Sequence, residues 1–294
     1  MMRILSLGSL VALALAVCVL PFTLHCAQVR HDRLPFDVTA AEPAPSGEFF
    51  ARTVRELVDH ELSSLAGWRP NDFFLWGPQL WADNNASRQL GIIQAVRESM
   101  RVFRDNLTKV SATGYDSNLV EADTRFRNDE RKLWFPSAES SFGDGVAALD
   151  RYLAGLRAIP PTSKPINRRN VELIRLFTTW TDLLGSAHAD LYTDDVGFFD
   201  TDDQFYHAQG LAHVMHHLTR AIRREYEPDL RERVTVLELV DEVAASLGRA
   251  ATLKPFVVLD GDADGLFANH RRNLDAFLVD ARQKMYSIRE ELEK

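Results

Sequence analysis

Apolar residues spaced alternately three and four positions apart recur through this chain. No other feature constrains the fold as much, because such spacing draws one stripe down an α-helix and none down a strand. Ile93, Val96, Met100, Phe103, Leu107 and Val110 form one series. Leu173, Phe177, Trp180, Leu184, Ala187 and Leu191 form a second, and Ala208, Leu211, Met215, Leu218 and Ile222 a third. Leu274, Leu278, Ala281, Met285, Ile288 and Leu292 form a fourth. Four long helices are predicted, with shorter ones over 49–65, 145–156 and 235–252. The last opens on Thr235 with Glu238 three residues on, the pattern of a capping box, with Val234 and Leu239 as its staple. No comparable stretch alternates with period two, and only KPFVVLDG reads as a short extended piece. The expected class is all-α, a multi-helix antiparallel bundle packed through coiled-coil-like seams. The same stripes would also serve a homo-oligomer. Each is shorter than about four heptads and connections intervene, so an intramolecular bundle is the simpler reading.

Ahead of these helices, ILSLGSLVALALAVCVLPFTL from Ile4 to Leu24 holds no charged residue. At about 1.5 Å rise per residue its 21 positions suffice for a hydrocarbon core of roughly 30 Å. A single transmembrane helix is expected, with residues 1–27 as an uncleaved signal anchor that meets the membrane through 4–24. A cleaved signal peptide is the competing reading, but the exit HCAQ puts His25 where a cut after Ala27 wants a small residue. Thr23-Leu24-His25 before Cys26 also lacks the small residue of a lipoprotein site. Orientation is not decided by charge, since Arg3 precedes the span and Arg30 and Arg33 follow it. By analogy with short-leader anchors the carboxy-terminal bulk is expected on the exported, periplasmic side, and a cytoplasmic-facing domain is the alternative. Residues 28–48, which include PFDVTAAEPAPSG, read as a flexible linker, leaving 49–294 as the α-helical domain.

Composition excludes several functions. The net charge of -8 and pI near 5.6 oppose a nucleic-acid partner, which needs a concentrated basic face. Both cysteines, Cys18 and Cys26, precede the domain, which therefore has no thiol for a disulfide, a zinc ligand or a nucleophile. There is no G-x-S-x-G, no H-E-x-x-H, no phosphate-binding glycine loop and no dinucleotide fingerprint, and no cofactor is expected.

Three polar clusters and one aromatic stretch remain. DGDADG at Asp260 to Gly265 matches the opening of a calcium loop, but the twelfth position is Arg271 where a bidentate glutamate belongs, so a turn is the better reading. His213 and His217 have the i, i+4 spacing of metal ligands, yet Arg220 and Arg224 share their face; they read as a solvated or anion-facing basic ridge, and no metal is expected. YTDDVGFFDTDDQFYH gathers five aspartates, and Asp202 or Asp203 is placed to cap the following helix. GWRPNDFFLWGPQLWADN, from 67 to 84, is broken by two prolines and two glycines, so a loop between a helix ending near Ala66 and one beginning near Arg88 must hold its large rings. The loop is expected to fold over the bundle, leaving Trp76 and Trp81 the most accessible.

GWRPNDFF, WADN at 81–84, QLGIIQAVRE from Gln89, FPSAES from Phe135, ALDRYL from Ala148, DDQFYHAQG from Asp202 and GLFANH from Gly265 occur in order over nearly the whole domain. In this set the chain resembles the bacterial family labelled domain of unknown function 2333. The resemblance implies a membrane-anchored protein of the bacterial envelope and supplies no catalytic residues. The resulting expectation is an inner-membrane protein that acts by binding an envelope protein or glycan. Its binding candidates are Trp76, Trp81, Asp83, Asn84, Asp202, Asp203, Asn269 and His270. The rival is a hydrolase or other enzyme with Asp202, Asp203 or His270 in a cleft at one bundle end.

Overall fold

The computed structural model describes residues 8–9, 11–17, 19, 23, 43–64, 67–72, 83–108, 114–193, 198–255, 258 and 269–294. Among them the domain is all-helical. Eight α-helices follow one another: α1 (Glu48–Ser63), α2 (Asp83–Val102), α3 (Ser117–Phe126), α4 (Ala138–Arg157), α5 (Asn170–Leu191), α6 (Phe198–Leu230), α7 (Val234–Thr252) and α8 (His270–Glu293). A π-helical turn, Phe103–Leu107, extends α2. Every described residue of the four apolar series is buried, none more than 4% exposed, so the stripes are the seams of one core.

Side-chain contacts fix the directions. Glu48 pairs with Arg157 at 2.8 Å and Arg55 with Asp150 at 3.1 Å, which sets α1 antiparallel to α4. Glu225 accepts from the Gly47 and Phe49 amides at 2.9 and 2.8 Å, setting α6 antiparallel to α1 and satisfying donors that Gly47, without a side chain, cannot cap. Arg223 meets Asp241 and Gln209 meets the Leu253 carbonyl, so α7 runs back along α6. Asn170 reaches the Leu292 carbonyl and His188 meets Asp275, so α8 runs back along α5. With Glu61 paired to Arg88 and Arg125 to Asp144, the ends of α1, α3, α5 and α7 and the starts of α2, α4, α6 and α8 therefore share one end of the bundle, called the loop end below.

Several local expectations are corrected. α3 has no counterpart in the periodicity reading. α7 begins at Val234 with Arg233 as its N-cap and no side-chain cap, and Val234 is 58% exposed, so the capping box on Thr235 and its staple do not form. α6 begins at Phe198, which puts Asp202 and Asp203 more than one turn inside it and not at its cap. α2 begins at Asp83, five residues before Arg88.

The expected span over 4–24 lies mostly outside the described residues. Those of it that are described, 8–9, 11–17, 19 and 23, are helical, with Val11, Leu13, Leu15 and Val19 at least half exposed. Among the described residues no helix is long and apolar enough to cross a membrane. Of the linker, 28–42 lies outside the described residues; Ser46 accepts from the Ile166 amide at 3.1 Å and Gly47 donates to Glu225, which holds the segment just before α1 on the bundle.

Candidate functional site

The loop end is organised by a close crossing of α2 and α6. A Cβ on Gly91 would stand 2.0 Å from the His207 carbonyl oxygen, and one on Gly210 would stand 2.1 Å from that of Arg88. Only glycine permits such an approach. The crossing brings Ser87 beside Asp203, and the Ser87 hydroxyl donates to Asp203 Oδ1 at 2.6 Å.

Around this bond lies a cleft of about 310 Å³ between α2, α5 and α6. Ser87, Asp190, Asp203, Gln204 and His207 give it polar groups, Leu90, Ala187 and Ala208 an apolar floor, and Arg131 of the α3–α4 connection a cation. Burial lowers the pKa of His207, opposed by the Asp190 carboxylate, so the imidazole is neutral at pH 7 and offers one donor and one acceptor. Arg271, at the start of α8, is not in the lining but ties α8 to two residues that are: it donates to the Asp190 and Thr193 carbonyls at 3.0 and 3.1 Å and to Gln204 Oε1 at 2.9 Å.

Beneath the cleft is a buried polar layer. Glu61 accepts from Arg88 at 3.1 Å and from Gln89 at 2.9 Å, while Gln89 also bonds the Gly67 carbonyl and the Arg69 amide. The rings of His213 and His217 stack edge to face at 4.8 Å, with His216 at 4.9 Å from His217. Burial first, then the positive neighbours His216, Arg220, Arg88 and His60, push His217 down to about 3. His217 is only 9% exposed, so the expected solvated ridge is instead an inner face packed toward α1 and α2. Among the described residues no group of three or more His, Cys, Asp or Glu could hold a metal ion. Asp260, Asp262 and Asp264 lie outside the described residues.

The start of the aromatic stretch is a core plug. Trp68 is 4% exposed, donates its indole N–H to the Glu130 carbonyl at 2.8 Å and stacks edge-on to Phe142 at 5.0 Å. Asn71 bonds the Lys132 carbonyl and Glu139. Asp72 pairs with Arg69 at 2.5 Å, yet burial, reinforced by Glu139, pushes its carboxyl up to about 6.

Of the residues expected to bind, Trp76 and Trp81 lie outside the described residues. Asp83 is the first residue of α2 and Asn84, half-buried, the second. Asp203 lines the cleft; Asp202, half-buried, does not. Asn269 is the N-cap of α8, accepting from the Arg272 amide at 2.8 Å, and His270 is the first residue of that helix, outside the cleft lining. Thus Asp83, Asn84, Asn269 and His270 belong to helix starts at the loop end and Asp202 and Asp203 lie just over one turn into α6, and of the described candidates only Asp203 reaches the cleft. Ser87, Asp190, Gln204, His207 and Arg131 were not singled out by the sequence. The signal for them was a glycine inside each of two helical patterns, QLGII and AQGLA, which marks a close approach.

A second groove of about 390 Å³, between α2 and α5, includes Gln94, Glu98, Arg101, Thr178 and Ser186. Its hydroxyls turn onto their own helix, Thr178 to the Ile174 carbonyl and Ser186 to that of Asp182, and Arg101 is paired with Glu98, so fewer of its groups face a ligand.

A family model described as an uncharacterised protein conserved in bacteria (DUF2333) matches residues 4–193 and 181–294. No curated protein and no solved structure matches the chain.

Proposed function

We propose that this chain, which belongs to the DUF2333 family of uncharacterised bacterial proteins, is a membrane-anchored helical bundle of the cell envelope that works by binding a ligand at its loop end. One observation carries the binding reading: Ser87, Asp190, Asp203, Gln204 and His207, from three helices, converge on one cleft over an apolar floor. At about 310 Å³ it stands at the lower end of small-molecule sites. Carboxylates, an amide and a neutral imidazole suit hydroxyl and amino groups, and the floor of Leu90, Ala187 and Ala208 suits the C–H face of a sugar ring. The ligand class that fits is an envelope glycan end.

Binding is favoured over hydrolysis by the same geometry. Ser87 donates to Asp203 and not to an imidazole, so its one proton is committed and its oxygen is held as an acceptor. Asp72, whose carboxyl burial pushes up to about 6, is outside the cleft lining.

Anchoring is supported by the uncharged run at 4–24 and by the exposed Val11, Leu13, Leu15 and Val19 on its helical residues, a surface that water does not stabilise. A periplasmic domain is part of the same proposal. Reporter fusions at the carboxy terminus check it: activity confined to the periplasmic reporter is expected, and activity of the cytoplasmic one would reverse the orientation.

The binding test is calorimetric. Titrating detergent-solubilised full chain with soluble envelope glycan fragments gives saturable heat. Asp203→Ala, which removes a charge-assisted hydrogen bond of about 1.5–3 kcal/mol, weakens binding roughly 10- to 100-fold. Gln94→Ala, in the second groove, leaves it unchanged. Absence of saturable heat, or equal losses in both variants, would remove the reading.

A further inference from the structure

The α3–α4 connection, RKLWFP at 131–136, holds two of the largest exposed apolar side chains of the described domain: Trp134 is 71% exposed and Phe135 92%. Soluble surfaces rarely offer adjacent large aromatics without a partner. The exposure is not that of a loosely held loop. The Arg97 guanidinium bonds the Phe126 and Asn128 carbonyls at 2.6 Å each and pairs with Glu130 at 2.8 Å. Trp68 and Asn71 bind the Glu130 and Lys132 carbonyls from the other side, and the Ala138 amide closes onto the Lys132 carbonyl at 2.9 Å. The stem is fixed and the aromatic tip is presented.

We propose that this tip is a membrane-interface contact that seats the loop end on an anionic phospholipid surface. Trp beside Phe is the side-chain pairing that partitions to the headgroup region, where the indole keeps a polar handle and the rings leave water. Arg131 and Lys132 precede the tip, and among the described residues neither takes part in an ion pair; of the acids around them Glu130 is paired with Arg97, Asp129 accepts from the Arg131 amide and Glu139 from the Asn71 side chain. These two cations directly precede the exposed rings, whereas the acids are held by Arg97 or by amides, so the edge beside the tip complements anionic headgroups although the chain as a whole carries a net charge of -8. The inference rests on the anchored reading, which holds the domain near a bilayer. The 15 residues of 28–42, ahead of the segment held on the bundle, span up to about 50 Å when extended, against a length of about 24 Å for α1, whose start lies at the far end, so the tether permits the loop end to turn back. Because Arg131 also lines the cleft, the contact would place the cleft mouth beside the headgroups.

The test places a photoreactive benzoylphenylalanine at Phe135 of the full chain in bacterial cells, with Val279, exposed on α8, as the control position. A phospholipid adduct at 135, absent at 279, is expected. Arg131→Glu with Lys132→Glu lowers its yield roughly 25-fold, at about fivefold per basic residue removed. No lipid adduct at 135, equal yields at both positions, or capture of a protein, a second copy or residues 73–82 of the same chain overturns the inference. Carbonate washing separates the two readings: a chain released by the wash overturns the anchor, whereas a retained chain with no lipid adduct at 135 overturns the loop contact alone.

Discussion

Glu61 and Arg88 carry charges that the sequence assigns to helix surfaces, yet they are 2% and 4% exposed and face each other at 3.1 Å. A buried pair is expensive to desolvate and contributes little net stability, but removing one partner leaves the other charge in an apolar setting. Glu61→Ala is expected to cost about 3–5 kcal/mol in urea unfolding of the solubilised chain, and adding Arg88→Met to recover most of it. Additive losses in the double variant would show that the two side chains do not act as a pair. Nothing in the local sequence betrays this layer, because its members come from α1, α2 and α6 and become neighbours only when the helices pack. Trp68 shows the opposite case: large rings in a proline-broken stretch predicted a loop that folds inward, and its indole is indeed buried under Glu130 and Phe142.

At the scale of elements the same substitution is expected to change sign with place. Gly91→Ala or Gly210→Ala puts a methyl within about 2 Å of the facing helix's backbone, so α2 and α6 must separate. The expected loss is about 1–3 kcal/mol, with weakened binding at the cleft that this crossing shapes. Gly143, inside α4, has nothing within 4 Å of an added Cβ. There alanine restores helix propensity and is expected to stabilise by about 0.5–1 kcal/mol. Thermal melts of the three variants decide it, and a common sign would mean that propensity rather than packing governs these positions. The helices with long apolar series were legible because burial repeats along them. α3 was not: Leu119, Ala122 and Phe126 are its only buried apolar anchors, too few within 10 residues to establish a period. The start of α7 was misplaced because no side-chain cap forms there, and at α1 Glu225 of α6 takes the place of a local cap. Of the cleft only Asp203 was anticipated, since Ser87 and His207 gain meaning from the Gly91–Gly210 approach and not from their own neighbours.

Across the whole molecule, the histidines gathered between α1, α2, α6 and α7 make stability depend on acidity. His217 faces His213 and His216 on its own helix, with Arg220 one turn on, and His60 and Arg88 from α1 and α2. Its folded pKa of about 3 lies below the 6.5 of an ordinary histidine, so below about pH 6.5 the unfolded chain binds a proton that the folded chain refuses. Stability from this group is therefore complete at neutral pH and is lost as pH falls from 6.5 toward 3. Between pH 7 and 5 the loss from His217 alone is about 2 kcal/mol. His213, His216 and His207, also lowered by burial, add to it in the same direction. Asp72, Glu225 and Asp275, raised by burial, work against it, because their folded forms take up protons first as the solution acidifies. A comparison isolates the histidine: between pH 7 and 5, wild type is expected to lose about 2 kcal/mol more unfolding free energy than His217→Gln, whose amide does not titrate. Equal losses in the two proteins would mean that His217 takes up its proton in the folded state, with water reaching the layer beneath the cleft. The expected difference would instead show that the α1–α2–α6 packing stays dry, and that acid opens the bundle from the layer on which the cleft is built.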